Sequence, residues 1–478
     1  MKTQKLIILL FIVVQFSYSQ QFTENTEVSL TGILYGEATW INRDNSGKDE
    51  LLISGYDTNY NAFSGLYSYQ SDDIGLLPIT IDPYYFSSIG KLDYNNDGIT
   101  DFIIIGYDSN DTENSVLYIS DGNGSYTSET LNIPGTSNGK MKIEDLNNDG
   151  LSDIIVTGSA SDYSYIAKLY LQNTEGDFIE SMVPFFGSTY SSITTFDANN
   201  DGHIDVLLTG FSNNYTPETK LYFNDGSAGF TESTNSTLGA VYFSTSSAAD
   251  YDNDGDIDVL LSGFNSSYVP STVLYNNDGN GNFTENTQAT LKQLYWGTSN
   301  FVDYDSDGDL DLFISGADSN VLAYAKFYKN TNGNFIEDTN AEIGIYGTYV
   351  SSADWTDYDN DGDLDFVLNG LNSNNDAITK VYTNQQESLD VHDFALHIDF
   401  SAYPNPTTNK IVNLLFDESK LSSSSKITIY SNIGQKVFEK RLKNDFNKTL
   451  QLNSLTEGIY LLELSSGSFK TTQKIILN

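Results

Sequence analysis

The chain contains no cysteine, which excludes disulfide staples, thiol nucleophiles and the lipid-modified cysteine of a lipoprotein leader. Histidine is nearly absent: of the three, His203 lies inside an acidic repeat, and His392 and His397 lie in a polar stretch. Few groups are therefore left to serve as a neutral-pH general base. After the first twenty residues no apolar run approaches the eighteen that a membrane-spanning helix needs. No window shows the spacing of an amphipathic helix, so an all-β fold is expected. Basic residues are scarce as well. Taking out the two lysines of residues 1–20, and the ten basic and six acidic residues of 401–478, leaves 11 basic and 59 acidic residues in 21–400. Arg43 is the single arginine of that stretch. A surface so acidic repels phosphate backbones, which excludes nucleic acid as a partner and disfavours anionic lipid.

What is present begins with a leader. Residues 1–20 place Lys2 and Lys5 before a nine-residue apolar run, Leu6 to Val14, and a short polar stretch. That order reads as an export signal peptide. An exported fold without disulfides needs another staple, and the acidic residues supply a candidate because they recur with a fixed period. A nonapeptide, D-x-[DN]-x-D-G-x-x-D, ends at residues 101, 153, 205, 258, 311 and 365, and a degenerate copy, Asn42 to Glu50, ends at 50, giving a spacing of 51–54 residues. Each copy is followed by four mostly apolar residues and a glycine, which reads as a short buried strand. About ten residues further on comes an apolar-tyrosine pair, from Leu66-Tyr67 to Val381-Tyr382, and in several copies a hairpin signal follows. A period near 50 residues with four strands per unit is expected of a seven-bladed β-propeller over residues 21–384. The last repeat stops after its third strand at Asn384. The pentad FTENT, which finishes the fifth repeat at Phe283–Thr287, also opens the mature chain at Phe22–Thr26. Residues 22–26 are therefore expected to supply the missing outer strand of blade seven and close the ring.

The nonapeptide places oxygen-bearing side chains at positions 1, 3, 5 and 9, a glycine at 6 and a backbone carbonyl at 7, a ligand set suited to Ca²⁺. The candidate ligands are Asp93, Asn95, Asp97, Ile99 and Asp101; Asp145, Asn147, Asp149, Leu151 and Asp153; Asp197, Asn199, Asp201, His203 and Asp205; Asp250, Asp252, Asp254, Asp256 and Asp258; Asp303, Asp305, Asp307, Asp309 and Asp311; and Asp357, Asp359, Asp361, Asp363 and Asp365. Asn42, Asp44, Ser46, Lys48 and Glu50 form a weaker seventh set. Position 7 varies from lysine to isoleucine, histidine and aspartate, which fits a role for its backbone alone. The plain alternative is an Asx-rich turn without metal. Calcium bound only to the folded chain would stabilise it by about 2.7 kcal/mol per site at a hundredfold excess over Kd, so about six or seven ions could stand in for disulfides.

These loops resemble FG-GAP or VCBS repeats, the units of integrin α-subunit propellers and of many bacterial surface proteins. The resemblance implies calcium in loops on one face of the disc and ligands on the opposite face or rim. The degenerate first loop departs from that pattern. After a linker at 385–400, residues 401–478 contain YPNP at Tyr403–Pro406, then KITIYSNIGQKVFEKRL at Lys426–Leu442, then LNSLTEGIYLLELSSGSFKTTQKIILN to the last residue. Their alternating apolar residues and turns suggest a small β-sandwich. The order of these motifs resembles the type A sorting domain of the type IX secretion system of Bacteroidetes. That implies passage across inner and outer membranes to the cell surface or medium, with the secretion machinery as a partner.

On the face opposite the loops, aromatic residues recur after the strand-ending glycines and at the starts of the strands before the loops. Tyr35, Tyr56, Tyr60, Tyr85, Tyr163, Tyr190, Tyr215, Tyr242, Tyr268 and Trp296 are the candidate ligand-binding residues. Such a surface suits an extracellular glycan or protein, and repetition by blade suits packing between blades equally well. A non-catalytic, monomeric binding or adhesion module is the expected function. The alternative is a polysaccharide lyase or hydrolase on the same scaffold, with an isolated acid such as Glu37 as its catalytic group.

Overall fold

The computed structural model describes residues 21–44, 47–69, 75–385, 401–407, 410–416, 425–431, 436–442, 448–466 and 469–477. The leader, Ser46, the stretch containing His392 and His397, and most of the expected linker lie outside them. The chain divides into two compact units, residues 1–386 and 387–478.

In the first unit the described residues form seven four-stranded antiparallel sheets. Their first strands are Leu34–Ile41, Tyr84–Leu92, Met141–Glu144, Ser188–Phe196, Val241–Ala249, Ser299–Val302 and Tyr349–Thr356. Each sheet packs on the next and the seventh packs on the first, so the ring is closed. The apolar runs after the nonapeptides form the second strands. They show no polar alternation because both faces are buried. In Asp101–Asp108, Phe102 and Ile104 face the first sheet's Leu52 and Leu66, whereas Ile103 and Ile105 face the third sheet's Ile154 and Val156. The seventh sheet takes its outer strand from Phe22–Asn25, paired with Ala377–Asn384 in the register Phe22 with Asn384 through Asn25 with Val381.

The recurring tyrosines pack between sheets and also accept a hydrogen bond. Tyr118 Oη takes the Asp82 N–H at 3.0 Å, Tyr222 that of Phe186 at 3.1 Å, Tyr275 that of Gly239 at 3.0 Å, Tyr328 that of Lys292 at 2.9 Å and Tyr382 that of Tyr346 at 3.1 Å. Each donor lies 36 residues before its tyrosine, in the segment entering the same sheet. A buried phenol needs such a partner. The third sheet has Pro134 at that offset, which has no N–H to give.

In the second unit, Ser401–Tyr403, Ile411–Leu415 and Thr449–Gln451 make one sheet, and four strands from Lys426–Ser431 to Phe469–Leu477 make another. Val412 and Leu414 of the first share a core with Ile427, Ile429 and Leu462 of the second, a small β-sandwich.

Candidate metal centres and binding face

Each nonapeptide joins the first strand of a sheet to its second. In the second loop the Asp93 carboxylate accepts the Asp97 N–H at 3.0 Å and the Gly98 N–H at 2.9 Å, while Asp97 accepts the Ile99 N–H at 2.8 Å. The same three bonds recur in every loop from the second to the seventh, as with Asp303 on Asp307 and Gly308 and Asp307 on Asp309. Two positions are left-handed. The glycine at position 6 is one, at φ 82–98° in these six loops. Position 4 is the other: Asn96, Asn148, Asn200, Asn253, Ser306 and Asn360 lie at φ 55–61°. Asparagine tolerates that region better than most residues, and its recurrence at position 4 is the sequence signal of that conformation.

The ninth-position aspartates Asp101, Asp153, Asp205, Asp258, Asp311 and Asp365 are all fully buried. One oxygen of each accepts the N–H of the residue nineteen further on, as Asp205 does from Asn224 at 2.8 Å. The side chain of that residue then reaches the preceding sheet. Asn224 Nδ2 donates to Leu146 O at 2.7 Å, Asn277 to Ala198 O at 2.9 Å, Asn330 to Tyr251 O at 2.6 Å and Asn384 to Tyr304 O at 2.8 Å. The acidic loop is thereby latched to the neighbouring blade. The asparagine two residues after the tyrosine carried this signal in the sequence.

Oxygens of three carboxylates lie within 4.8 Å of one another in three loops: Asp250, Asp252 and Asp254; Asp303, Asp305 and Asp311; and Asp357, Asp359 and Asp361. The Oδ2 atoms of Asp258, Asp311 and Asp365 are buried with no hydrogen-bond partner. A buried, unpartnered carboxylate oxygen is costly without a cation, so the donor set fits a hard divalent ion. Position-7 side chains turn elsewhere: Asp256 accepts from Asn200 Nδ2 at 2.7 Å and Asp309 from Asn332 N at 3.4 Å. Asp363 is the exception, buried in its loop, where desolvation and the neighbouring Asp361 raise its pKa. In the first loop the Arg43 guanidinium pairs with Glu50 at 2.7 Å and donates to Gly124 O at 3.0 Å.

Two family models match the chain. An FG-GAP-like repeat matches residues 145–208, 197–261, 250–314 and 303–368, and a secretion system C-terminal sorting domain matches residues 401–478. The chain carries FG-GAP-like repeats and a type IX sorting domain. The sorting domain directs export by the type IX secretion system to the cell surface or the medium. No described helix is long and apolar enough to cross a membrane. Among curated proteins, the human T-cell immunomodulatory protein is 23% identical over 259 residues, covering 50% of this chain and 39% of its own length. The chain thus spans well under half of that relative. Among solved structures, a mutant Aleuria aurantia lectin in complex with alpha-methyl-L-fucoside superposes with a TM-score of 0.37 at 10% identity, over 65% of this chain and 96% of the lectin. AofleA from Arthrobotrys oligospora gives 0.38 at 8% identity, over 68% and 90%.

Opposite the FG-GAP loops the aromatic candidates separate into three groups. Tyr35, Tyr190 and Trp296 sit around the ring axis with Phe86, Phe243, Asn138 and Val350, lining a cavity of about 90 Å³. All seven are left-handed, at φ 46–57°. The conformation lets neighbouring sheets bond at the axis: Tyr190 N–H to Asn138 O at 2.6 Å, Trp296 N–H to Phe243 O at 2.7 Å and Val350 N–H to Trp296 O at 2.6 Å. The rings pack across the axis, Trp296 lying 4.3 Å from Phe243 and 5.8 Å from Tyr35. Tyr85, Tyr56 and Tyr242 form the second group. Tyr85 is buried, stacked at 4.0 Å on Tyr56, and donates to Asp111 at 2.6 Å. Tyr242 packs at 5.0 Å against Phe211. Rings of both groups pack between sheets. Tyr60, Tyr163, Tyr215 and Tyr268 form the third, at the tips of the turns joining second and third strands, 67%, 89%, 72% and 60% exposed. Glu37 is taken up inside the ring, accepting the Ile89 N–H at 2.7 Å and pairing with Lys140.

Proposed function

We propose that the chain is an exported, calcium-stapled, monomeric binding module that engages an extracellular glycan or protein through the face opposite its FG-GAP loops, without catalysing a reaction. The observation that carries this reading is the set of four turn-tip tyrosines. Each occupies a left-handed position, at φ 59–66°, where the corresponding residues of the second, sixth and seventh turns are Asp111, Val321 and Asn375. A bulky residue there costs on the order of 1 kcal/mol or more. Asparagine would relieve much of the strain, so exposed aromatic rings held at such positions point to contact with a partner. Glu37 is held by Lys140 and a backbone amide, which supports a non-catalytic role. The acidic clusters and buried unpartnered carboxylate oxygens support calcium as the ion.

A combined Tyr60→Ala, Tyr163→Ala, Tyr215→Ala and Tyr268→Ala variant is expected to lose at least tenfold in affinity for glycans or surface proteins captured by the parent on arrays, with an unchanged or slightly raised melting temperature. Unchanged binding would reject this face as the contact surface. Release of new reducing or unsaturated ends from an algal or plant polysaccharide by the parent would reject the non-catalytic reading.

A further inference from the structure

The six loops from the second to the seventh share one backbone path but differ in how each satisfies its own acidic groups. In the second, third and fourth loops position 3 is asparagine. Its Nδ2 donates to the carboxylate at position 5 at 2.9, 3.0 and 3.0 Å. Both oxygens of the ninth-position aspartate are also used there: Asp101, Asp153 and Asp205 accept the N–H of Tyr94, Leu146 and Ala198 at 3.0 Å through Oδ2, in addition to the bond to the third strand. These loops are closed by their own donors.

In the fifth, sixth and seventh loops position 3 is Asp252, Asp305 or Asp359, which brings a charge and no amide. The ninth-position carboxylates, fully buried, keep Oδ2 without a partner, and the three-carboxylate clusters occur in these loops alone among the described residues. In the sixth, Lys329 pairs with Asp305 yet leaves Asp311 Oδ2 without a donor. The first loop differs again, since Arg43 places a fixed cation against Glu50.

We infer that the ring binds divalent cations in two classes: three tight sites contiguous in the fifth, sixth and seventh sheets, and three weaker ones in the second to fourth, with Arg43 in place of a metal in the first. This rests on the calcium reading above and assigns its distribution. The physical reason is the reference state. A loop already closed by its own amides gains less when an ion arrives than one holding an unpaired buried carboxylate oxygen, and each added carboxylate raises affinity for a hard cation.

Calcium titration of the EDTA-stripped full chain by calorimetry, with the bound metal counted by mass spectrometry, tests this. The expected isotherm has a first phase of three ions, separated by at least tenfold in affinity from a second, and a final count of six. Replacing Asn95, Asn147 and Asn199 with aspartate is expected to enlarge the tight phase from three ions to six. Replacing Asp252, Asp305 and Asp359 with asparagine is expected to abolish it. A single class of equivalent sites, a final count of seven, or a tight phase still at three after the asparagine-to-aspartate changes would overturn the inference while leaving calcium binding intact. No calcium bound at all would overturn both.

Discussion

At the scale of single residues, the acidic loops hold carboxylates in an environment that resists their charge. Burial, reinforced by neighbouring carboxylates, lifts Asp258 and Asp311 to about 7 and Asp365 to about 8. Burial lifts Asp153 and Asp205 to about 6. The sign of the linkage follows: without metal the folded chain binds protons more tightly than the unfolded one, so these groups favour folding at acid pH. Their contribution is complete below the ordinary carboxylate pKa and is lost as pH rises through 6 to 8. In EDTA the melting temperature is therefore expected to fall between pH 5 and pH 8, and saturating calcium should remove or reverse that slope. A flat profile in EDTA would mean that these carboxylates are already compensated. The nonapeptide made the candidate ligands legible, because alternating oxygen donors around a glycine have a recognisable spacing. It could not show which oxygens already have donors, since the Asp205 to Asn224 bond and the Asn224 to Leu146 latch join residues 19 and 78 apart.

At the scale of elements, ring closure depends on a strand of four residues. Phe22 is fully buried, stacked at 5.2 Å on Phe327 and edge-on at 5.1 Å to Phe366, while Phe22–Asn25 covers the open edge of the seventh sheet. Phe22→Ala is expected to lower stability by about 3–5 kcal/mol, as for other buried phenylalanine truncations, measured by urea unfolding in excess calcium. A change under about 1 kcal/mol would show that the closing strand contributes little. The repeated FTENT pentad made this pairing legible from sequence, because the strand it duplicates finishes an equivalent sheet at Phe283–Glu285. The aromatic residues at the strand starts were less legible. Tyr85 and Tyr60 are both tyrosines near a glycine, yet one is buried against Asp111 and the other stands exposed on a turn. Local sequence does not specify which rings meet those of another sheet.

At the scale of the whole molecule, seven sheets and no disulfide leave the ring dependent on contacts between blades and on whatever neutralises its acidic loops. Chelation of the full chain at pH 7.5 is expected to lower its melting temperature by well over 10 °C, because several sites each contribute about 2–3 kcal/mol at calcium concentrations far above Kd. An unchanged melting temperature would leave the Asx-rich turns as metal-free structure. By itself the sequence determined the period, the strands within each repeat, the all-β class, the export tag and the acidic loops, since each depends on neighbours within about fifty residues. Only the tertiary structure decided which aromatic rings gather at the axis, which carboxylate oxygens are left without a donor, and that Arg43 pairs with Glu50 of the first loop. Each of those outcomes is fixed by groups from another strand or another sheet, brought together only when the ring closes.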